Sequence, residues 1–194
     1  MWVHEGFTNY SETIFTTCQS GVEAGNAYVQ GTRKLIANTI PVIGPYGVNE
    51  EGSGDMYYKG GNLIHYVRQF FKDDEAFRMA MREMNKTFYH KNVNSSDVEK
   101  FWSAKTGKDL SKLFDQYLRD IRIPKLEYRI KGKTIQYRWT DCIAGYNVPV
   151  KIILNDKTTK WINPNTSWKK ESAAETVTSL AADPNFYVYV EKLL

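Results

Sequence analysis

The sequence predicts an α+β chain: a helical stretch first, then a small β-sandwich-like module. Three observations predict it. Up to Ile121 the apolar residues recur at spacings of three and four, which is the period of an amphipathic helix. Pro124 then interrupts the pattern, since proline lacks the amide hydrogen a helix interior needs. After it the period falls to two, the signature of strands with one buried face. The expected division is therefore 1–123 for the helical part and 124–194 for the β-rich module.

The elements follow in order. Phe7, Tyr10 and Ile14 give a first helix over about 2–18. A second is expected over 22–36, in spite of Gly25 and Gly31. Residues 38–54 carry Asn38, Pro41, Gly44, Pro45, Gly47, Asn49, Gly52 and Gly54, so they read as a long loop. Loops of this length inside a compact unit are commonly functional. Leu63, Ile64, Val67, Phe70 and Phe71 form the stripe of a third helix. Phe77, Met81 and Met84 face inward on a fourth, over 75–88. Val98, Phe101 and Trp102 mark a fifth. Ser96 and Glu99 have capping-box spacing at its start, and Gly107 is its expected stop. Leu110, Leu113, Phe114, Tyr117, Leu118 and Ile121 make the clearest stripe of all, a sixth helix. In the β-rich part, Leu126, Tyr128 and Ile130 alternate up to a turn at 131–133, and Ile135, Tyr137 and Trp139 alternate after it. That is a hairpin. Residues 148–154, 160–162 and 186–190 are further strands, and Trp139, Trp161 and Trp168 are expected in the module's core.

Composition narrows the partners. The 194 residues are 42% hydrophobic and 14% aromatic, enough to bury a large core, so disorder is excluded. The net charge of +4 comes from 26 basic residues interleaved with 22 acidic ones. That is a mixed solvated surface and not the clustered basic face of a nucleic-acid binder. No apolar run approaches membrane-spanning length and no signal peptide occurs, so the residues point to no particular compartment. Cys18 and Cys142 stand far apart and form no C-x-x-C pair.

For metal chemistry the chain offers three histidines, His4, His65 and His90. A catalytic zinc takes about three protein ligands. The usual helical device, H-E-x-x-H, sets two imidazoles one turn apart, and it does not occur here. His65 is expected to be packed beside an apolar helix face. His90 is expected at a helix end, where a cation complements the dipole.

Three segments carry the functional reading. The first is Trp2-Val3-His4-Glu5-Gly6-Phe7-Thr8-Asn9-Tyr10-Ser11-Glu12. The second is Asp55-Met56-Tyr57-Tyr58-Lys59-Gly60-Gly61. The third runs from Gly107 through Asp109, Leu110, Phe114, Gln116 and Leu118 to Ile123-Pro124-Lys125-Leu126. In this order they resemble the aminopeptidase N family of gluzincin zinc metallopeptidases: its W-x-N-E-G-F stretch, its Y-x-K-G helix start, and its passage from the catalytic helices to a β-domain. His4 stands where that family usually has Asn.

The resemblance implies the C-terminal, helical part of a thermolysin-like catalytic domain. It implies that Glu5 is the third zinc ligand and that Tyr57 is a catalytic hydrogen-bond donor to the oxyanion at the scissile carbonyl. A phenol suits that task because it remains protonated at neutral pH. Glu12, two turns beyond Glu5, would act from behind, orienting a ligand histidine. Gly60 and Gly61 would permit close backbone packing behind Tyr57. The parent enzyme would bind Zn2+ and hydrolyse peptides from their N-termini. Its histidine motif would lie upstream of Trp2. This chain alone would then hold no zinc stably and be inactive. Two other readings stay open: a binding or scaffold module with this fold and a degenerate site, and a related hydrolase acting on a non-peptide substrate.

Overall fold

Helix α1, Trp2–Ser20, packs one face inward and buries Trp2, Gly6, Tyr10 and Thr13. Gly21 ends it with φ 92°, a left-handed conformation that suits glycine. The computed structural model describes residues 1–194. Helix α2, Val22–Gly31, packs back on α1 and passes into a 3-10 turn at Thr32–Leu35, so the expected 22–36 helix is split near Gly31. The loop at 38–54 is present and ends in a short 3-10 turn at Gly54–Met56. Helix α3, Tyr58–Arg68, is enclosed along its whole length. It stops at Arg68, so Phe70 and Phe71 belong to the turn that follows and not to the helix.

Helix α4, Asp74–Thr87, starts where the Asp73 carboxylate accepts the Ala76 amide at 2.8 Å. That is an N-cap, satisfying an amide the helix cannot. Helix α5, Ser95–Thr106, starts two residues earlier than its sequence suggests. Its capping box is Asn94 with Asp97, while Ser96 and Glu99 lie inside the helix. Gly107 ends it with φ 65°, as expected. Helix α6, Ser111–Arg119, buries Leu113, Phe114, Gln116, Tyr117 and Leu118. Asp120 then turns extended, and Ile121 is left 42% exposed outside the stripe it was assigned to.

The hairpin is formed by β1, Lys125–Lys131, and β2, Thr134–Thr140, paired antiparallel around Gly132. Strands β3, Val150–Leu154, and β4, Thr158–Ile162, pair next. Two short strands were not foreseen: β5, Lys169–Ser172, and β6, Leu180–Ala182. The last strand, β7, is Tyr189–Lys192, a little later than the expected 186–190. One sheet has the order β5-β2-β1-β7, with β7 parallel to β1, and the other β4-β3-β6. No helix is long and apolar enough to cross a membrane.

The core runs without a break from helices to sheets. Tyr66 of α3 meets Phe186 edge-on with ring centroids 4.7 Å apart, and Tyr117 of α6 donates its hydroxyl hydrogen to the Tyr187 carbonyl. Such aromatic contacts add about 1 kcal/mol each beyond the area they bury. Trp139 is core, as expected. Trp161 is not: it is 37% exposed and stacks on Phe70 from the helical part. Trp168 is not core either: it is half-buried, and the guanidinium groups of Arg129 and Arg138 each lie 4.7 Å from its ring.

Candidate functional site

The site is built where α1 crosses the start of α3. The two helices touch backbone to backbone at Gly6 and Gly60: a Cβ added to Gly60 would stand 3.1 Å from Gly6 Cα, and one on Gly6 would stand 3.3 Å from Gly60 Cα. At Gly61 a Cβ would fall 2.7 Å from Asn9 Oδ1. Three glycines in two short motifs thus share one contact. It holds Glu5, one residue before Gly6, beside Tyr57, three residues before Gly60.

Glu5 and Tyr57 face each other across this crossing. Tyr57 is 43% exposed. Its pKa is raised, chiefly by the nearby carboxylate of Glu5 and least by the charge of Glu51. The phenol is therefore held protonated at neutral pH, able to donate a hydrogen bond. Glu5→Gln removes the largest of these influences. We expect the Tyr57 pKa to fall toward its ordinary value in that variant, read by a 13C NMR titration of the tyrosine ring. An unchanged Tyr57 titration would separate the two side chains.

The other predicted residues are placed as follows. Glu12 lies on the same face of α1, exposed, and its carboxylate accepts the Tyr28 hydroxyl and the Asn9 amide. Tyr28 is thereby pushed up to about 12. His4 does not accompany Glu5. It lines a groove of about 720 Å³ between the start of α1, loop 42–51 and the facing ends of α4 and α5. His65 is packed, as expected: Nδ1 meets the Tyr10 hydroxyl at 2.9 Å and Nε2 meets Asn185 Oδ1 at 3.0 Å. His90 lies just past the end of α4 with φ 53°, its ring against Tyr89.

These positions decide how the residues present suit a zinc ion. Zinc in a catalytic site needs about three protein ligands. Glu5 offers one carboxylate, while His4 lines the neighbouring groove, His65 is held by Tyr10 and Asn185, and His90 lies past the end of α4. No three His, Cys, Asp or Glu side chains converge anywhere in the chain. The donor set of this chain does not by itself make a zinc site.

Reading the sequence left out the residues that hold the site in place. Asp55 is 5% exposed, and its two oxygens accept the amides of Ala37 at 2.8 Å and Asn38 at 2.7 Å. One carboxylate thus joins the two ends of the 38–54 loop. Lys59, 1% exposed, donates from Nζ to the Asp120 carbonyl at 2.9 Å. Burial lowers its pKa to about 8, against the opposing charges of Asp55 and Asp120. Tyr57 is therefore bracketed by two buried ionic groups, one fixing the loop before it and one fixing α3 to the approach to β1. Both lie in the segment that carries the Y-x-K-G pattern, and their burial is the part the pattern does not express.

Comparison with known proteins returns aminopeptidases. No family model matches the chain. It is 22% identical over 156 residues to the glutamyl aminopeptidase of Bitis rhinoceros, which covers 72% of this chain and 16% of that protein. Its fold matches the crystal structure of Legionella pneumophila aminopeptidase A in complex with aspartic acid. That match has a TM-score of 0.68 at 14% identity and covers 96% of this chain and 23% of that one. The α+β architecture of this chain is thus that of part of an aminopeptidase, and the chain spans less than a quarter of either relative's length.

Proposed function

We propose that the chain is part of an aminopeptidase N-type zinc metallopeptidase, contributing one wall of the active site. The observation that carries this reading is the juxtaposition of Glu5 and Tyr57 by helices that meet at Gly6 and Gly60. Glu5 supplies one carboxylate ligand. Two imidazoles and a general base come from outside these residues, from an H-E-x-x-H segment. Zinc held there would polarise the scissile carbonyl and acidify bound water.

The contribution of this chain is narrower. Tyr57, a phenol, carries its proton at neutral pH, and the nearby charge of Glu5 further opposes its ionisation. It can then donate a hydrogen bond to the carbonyl oxygen of a peptide substrate as that oxygen gains negative charge, a stabilisation worth about 3 kcal/mol where such donors have been removed. Glu12, held by Tyr28 and Asn9, is placed to orient an imidazole from behind. The substrate is a peptide with a free N-terminus, and no nucleic-acid partner is involved.

The 194-residue chain alone is expected to retain no stoichiometric zinc and to hydrolyse no aminoacyl anilide. Zinc analysis of the purified chain with a parallel anilide assay tests both. Tight zinc at one equivalent together with turnover would overturn the proposal. The second reading, a binding module with a degenerate site, is separated by the gene sequence upstream of Trp2. An H-E-x-x-H motif there favours the peptidase, and its absence favours the module.

A further inference from the structure

Arg33 is the one half-buried guanidinium of the helical part without an anion beside it. Its Nε donates to Asn62 Oδ1 at 2.7 Å, and its plane lies 5.2 Å from the centre of the Tyr187 ring. Its Nη2 is buried with no hydrogen-bond partner. Burial presses its pKa down, and the groups that push the other way are Tyr117 and Tyr187, not a carboxylate. The contrast with Arg68 is informative. Arg68 is also buried, and Asp74 meets it at 2.7 Å. A desolvated cation without a counter-charge is costly, because neither water nor an anion stabilises it.

Arg33 also lines a cavity of about 490 Å³ at the junction of the helices with the edges of the two sheets. That is the size of a small-molecule site, for which roughly 300–1,000 Å³ is usual. The walls combine apolar side chains, Leu180, Val188 and Val190 among them, with a comparable area of polar surface, and Lys192 is a second cation. Asp183 is the one acid there, and its Oδ1 is occupied by the Asn185 amide at 2.9 Å. Neither Glu5 nor Tyr57 takes part.

We propose that this cavity binds an aliphatic carboxylate, whose oxygens ion-pair with Arg33 while its hydrocarbon chain lies against Leu180, Val188 and Val190. Arginine suits the task because its guanidinium stays charged and keeps an Nη donor for a carboxylate oxygen while Nε is held by Asn62. A neutral ligand of the same shape would fill the apolar walls and leave the guanidinium uncompensated. The carboxylate belongs either to a free branched acid or to the C-terminal residue of a peptide, which present the same chemistry.

The test is an amide 1H-15N NMR titration of the full 194-residue chain with isovalerate and, separately, isovaleramide. The expected result is saturable shifts at residues 180–183 and 188–192 with the acid, and at least ~tenfold weaker binding of the amide. Arg33→Gln is expected to weaken acid binding by ~tenfold or more. Should that variant fail to fold, Val190→Trp narrows the cavity while leaving Arg33 in place, and it too is expected to lose the acid. Equal response to acid and amide, undiminished binding in a folded Arg33→Gln or Val190→Trp chain, or no saturable shift up to ~50 mM acid overturns the proposal. Adding N-acetyl-alanyl-leucine distinguishes the source: tighter binding than isovalerate assigns a peptide C-terminus, weaker binding the free acid. The site is remote from the residues read in the zinc and anilide measurements, so either proposal can fail while the other stands.

Discussion

Gly60→Val lowers the stability of the chain by about 3 kcal/mol or more. The reason is the backbone contact between α1 and α3. An added Cβ at residue 60 already stands 3.1 Å from Gly6 Cα, and valine places two further methyl groups in the same space. Its neighbour there is main chain, which cannot swing aside as a side-chain tip would. Accommodation requires the helices to separate, and separation empties the packing around Tyr10 and Leu63, both wholly buried. Gly31→Ala is the control. Nothing lies within 4 Å of a Cβ at residue 31, and its φ of −62° is helical. Alanine there is expected to be neutral or to stabilise by about 0.5–1 kcal/mol, through the lower flexibility of the unfolded chain. Urea denaturation followed by circular dichroism measures both. A Gly60→Val midpoint equal to that of the parent would remove the close contact from the account. The same variant should also disturb the Tyr57 titration, because the crossing that excludes a Cβ is what places Tyr57 beside Glu5.

Acid weakens the fold by about 3 kcal/mol between pH ~6.5 and ~4, through His65. The imidazole is fully buried, and burial lowers its pKa from 6.5 to about 4. The hydrogen bond to Asn185 and the charge of Asp183 oppose that shift, while the charges of Arg68 and Arg33 add to it. Its neutral state is built into the network. With Nε2–H donating to Asn185 Oδ1, Nδ1 is left to accept from the Tyr10 hydroxyl, and Arg68 Nη1 donates to that same oxygen at 3.2 Å. A second proton on the ring would face a hydroxyl already used as an acceptor. The unfolded histidine takes up a proton below pH ~6.5, while the folded one does so only near 4. Stability is therefore fully present above the unfolded pKa and declines as the pH falls toward the folded one. His65→Gln is expected to be less stable at pH 7 and to lose most of this slope. Urea midpoints taken across the range check it, and an equal slope in parent and variant would assign the acid sensitivity to other groups.

How far the sequence reaches is clearest at particular residues. Local pattern located every helix, because each buries a stripe of its own. It misjudged ends where two signals overlap. Asn94-x-x-Asp97 and Ser96-x-x-Glu99 are both plausible starts for α5, and only the path of the preceding chain decides between them. Ile121 continues the arithmetic of α6, yet Asp120 has already left the helix and the chain is turning toward Pro124. Strands β5 and β6 escaped because they are short, and β5 in particular exposes alternate residues and buries none. Trp161 and Trp168 were assigned to a core by residue type, but stacking on Phe70 and on two arginines gives an aromatic ring other places to be.

At the site, the motifs named Glu5, Tyr57 and the glycines behind them. What those glycines touch is a partner far along the chain, and nothing in a local window states it. The supports were hidden for a different reason. Asp55 and Lys59 are residue types expected at a surface, and their burial depends on amides and a carbonyl supplied by Ala37, Asn38 and Asp120. Glu51 was not singled out within the 38–54 loop, because nothing local distinguishes it from Glu50.

The carboxylate of Asp55 has a further consequence, for how such a protein can change over time. Because it ties Ala37 and Asn38 to the doorstep of Tyr57, the stretch between them is anchored at its neck and free at its tip, where Tyr46 stands fully in solvent. Doubling the length of an anchored loop costs only about 0.6 kcal/mol in closure entropy. Lineages carrying this neck could lengthen, shorten or rewrite the tip, and so reshape whatever approaches the groove beside it, without moving the phenol. The neck separates what must stay fixed from what is open to variation.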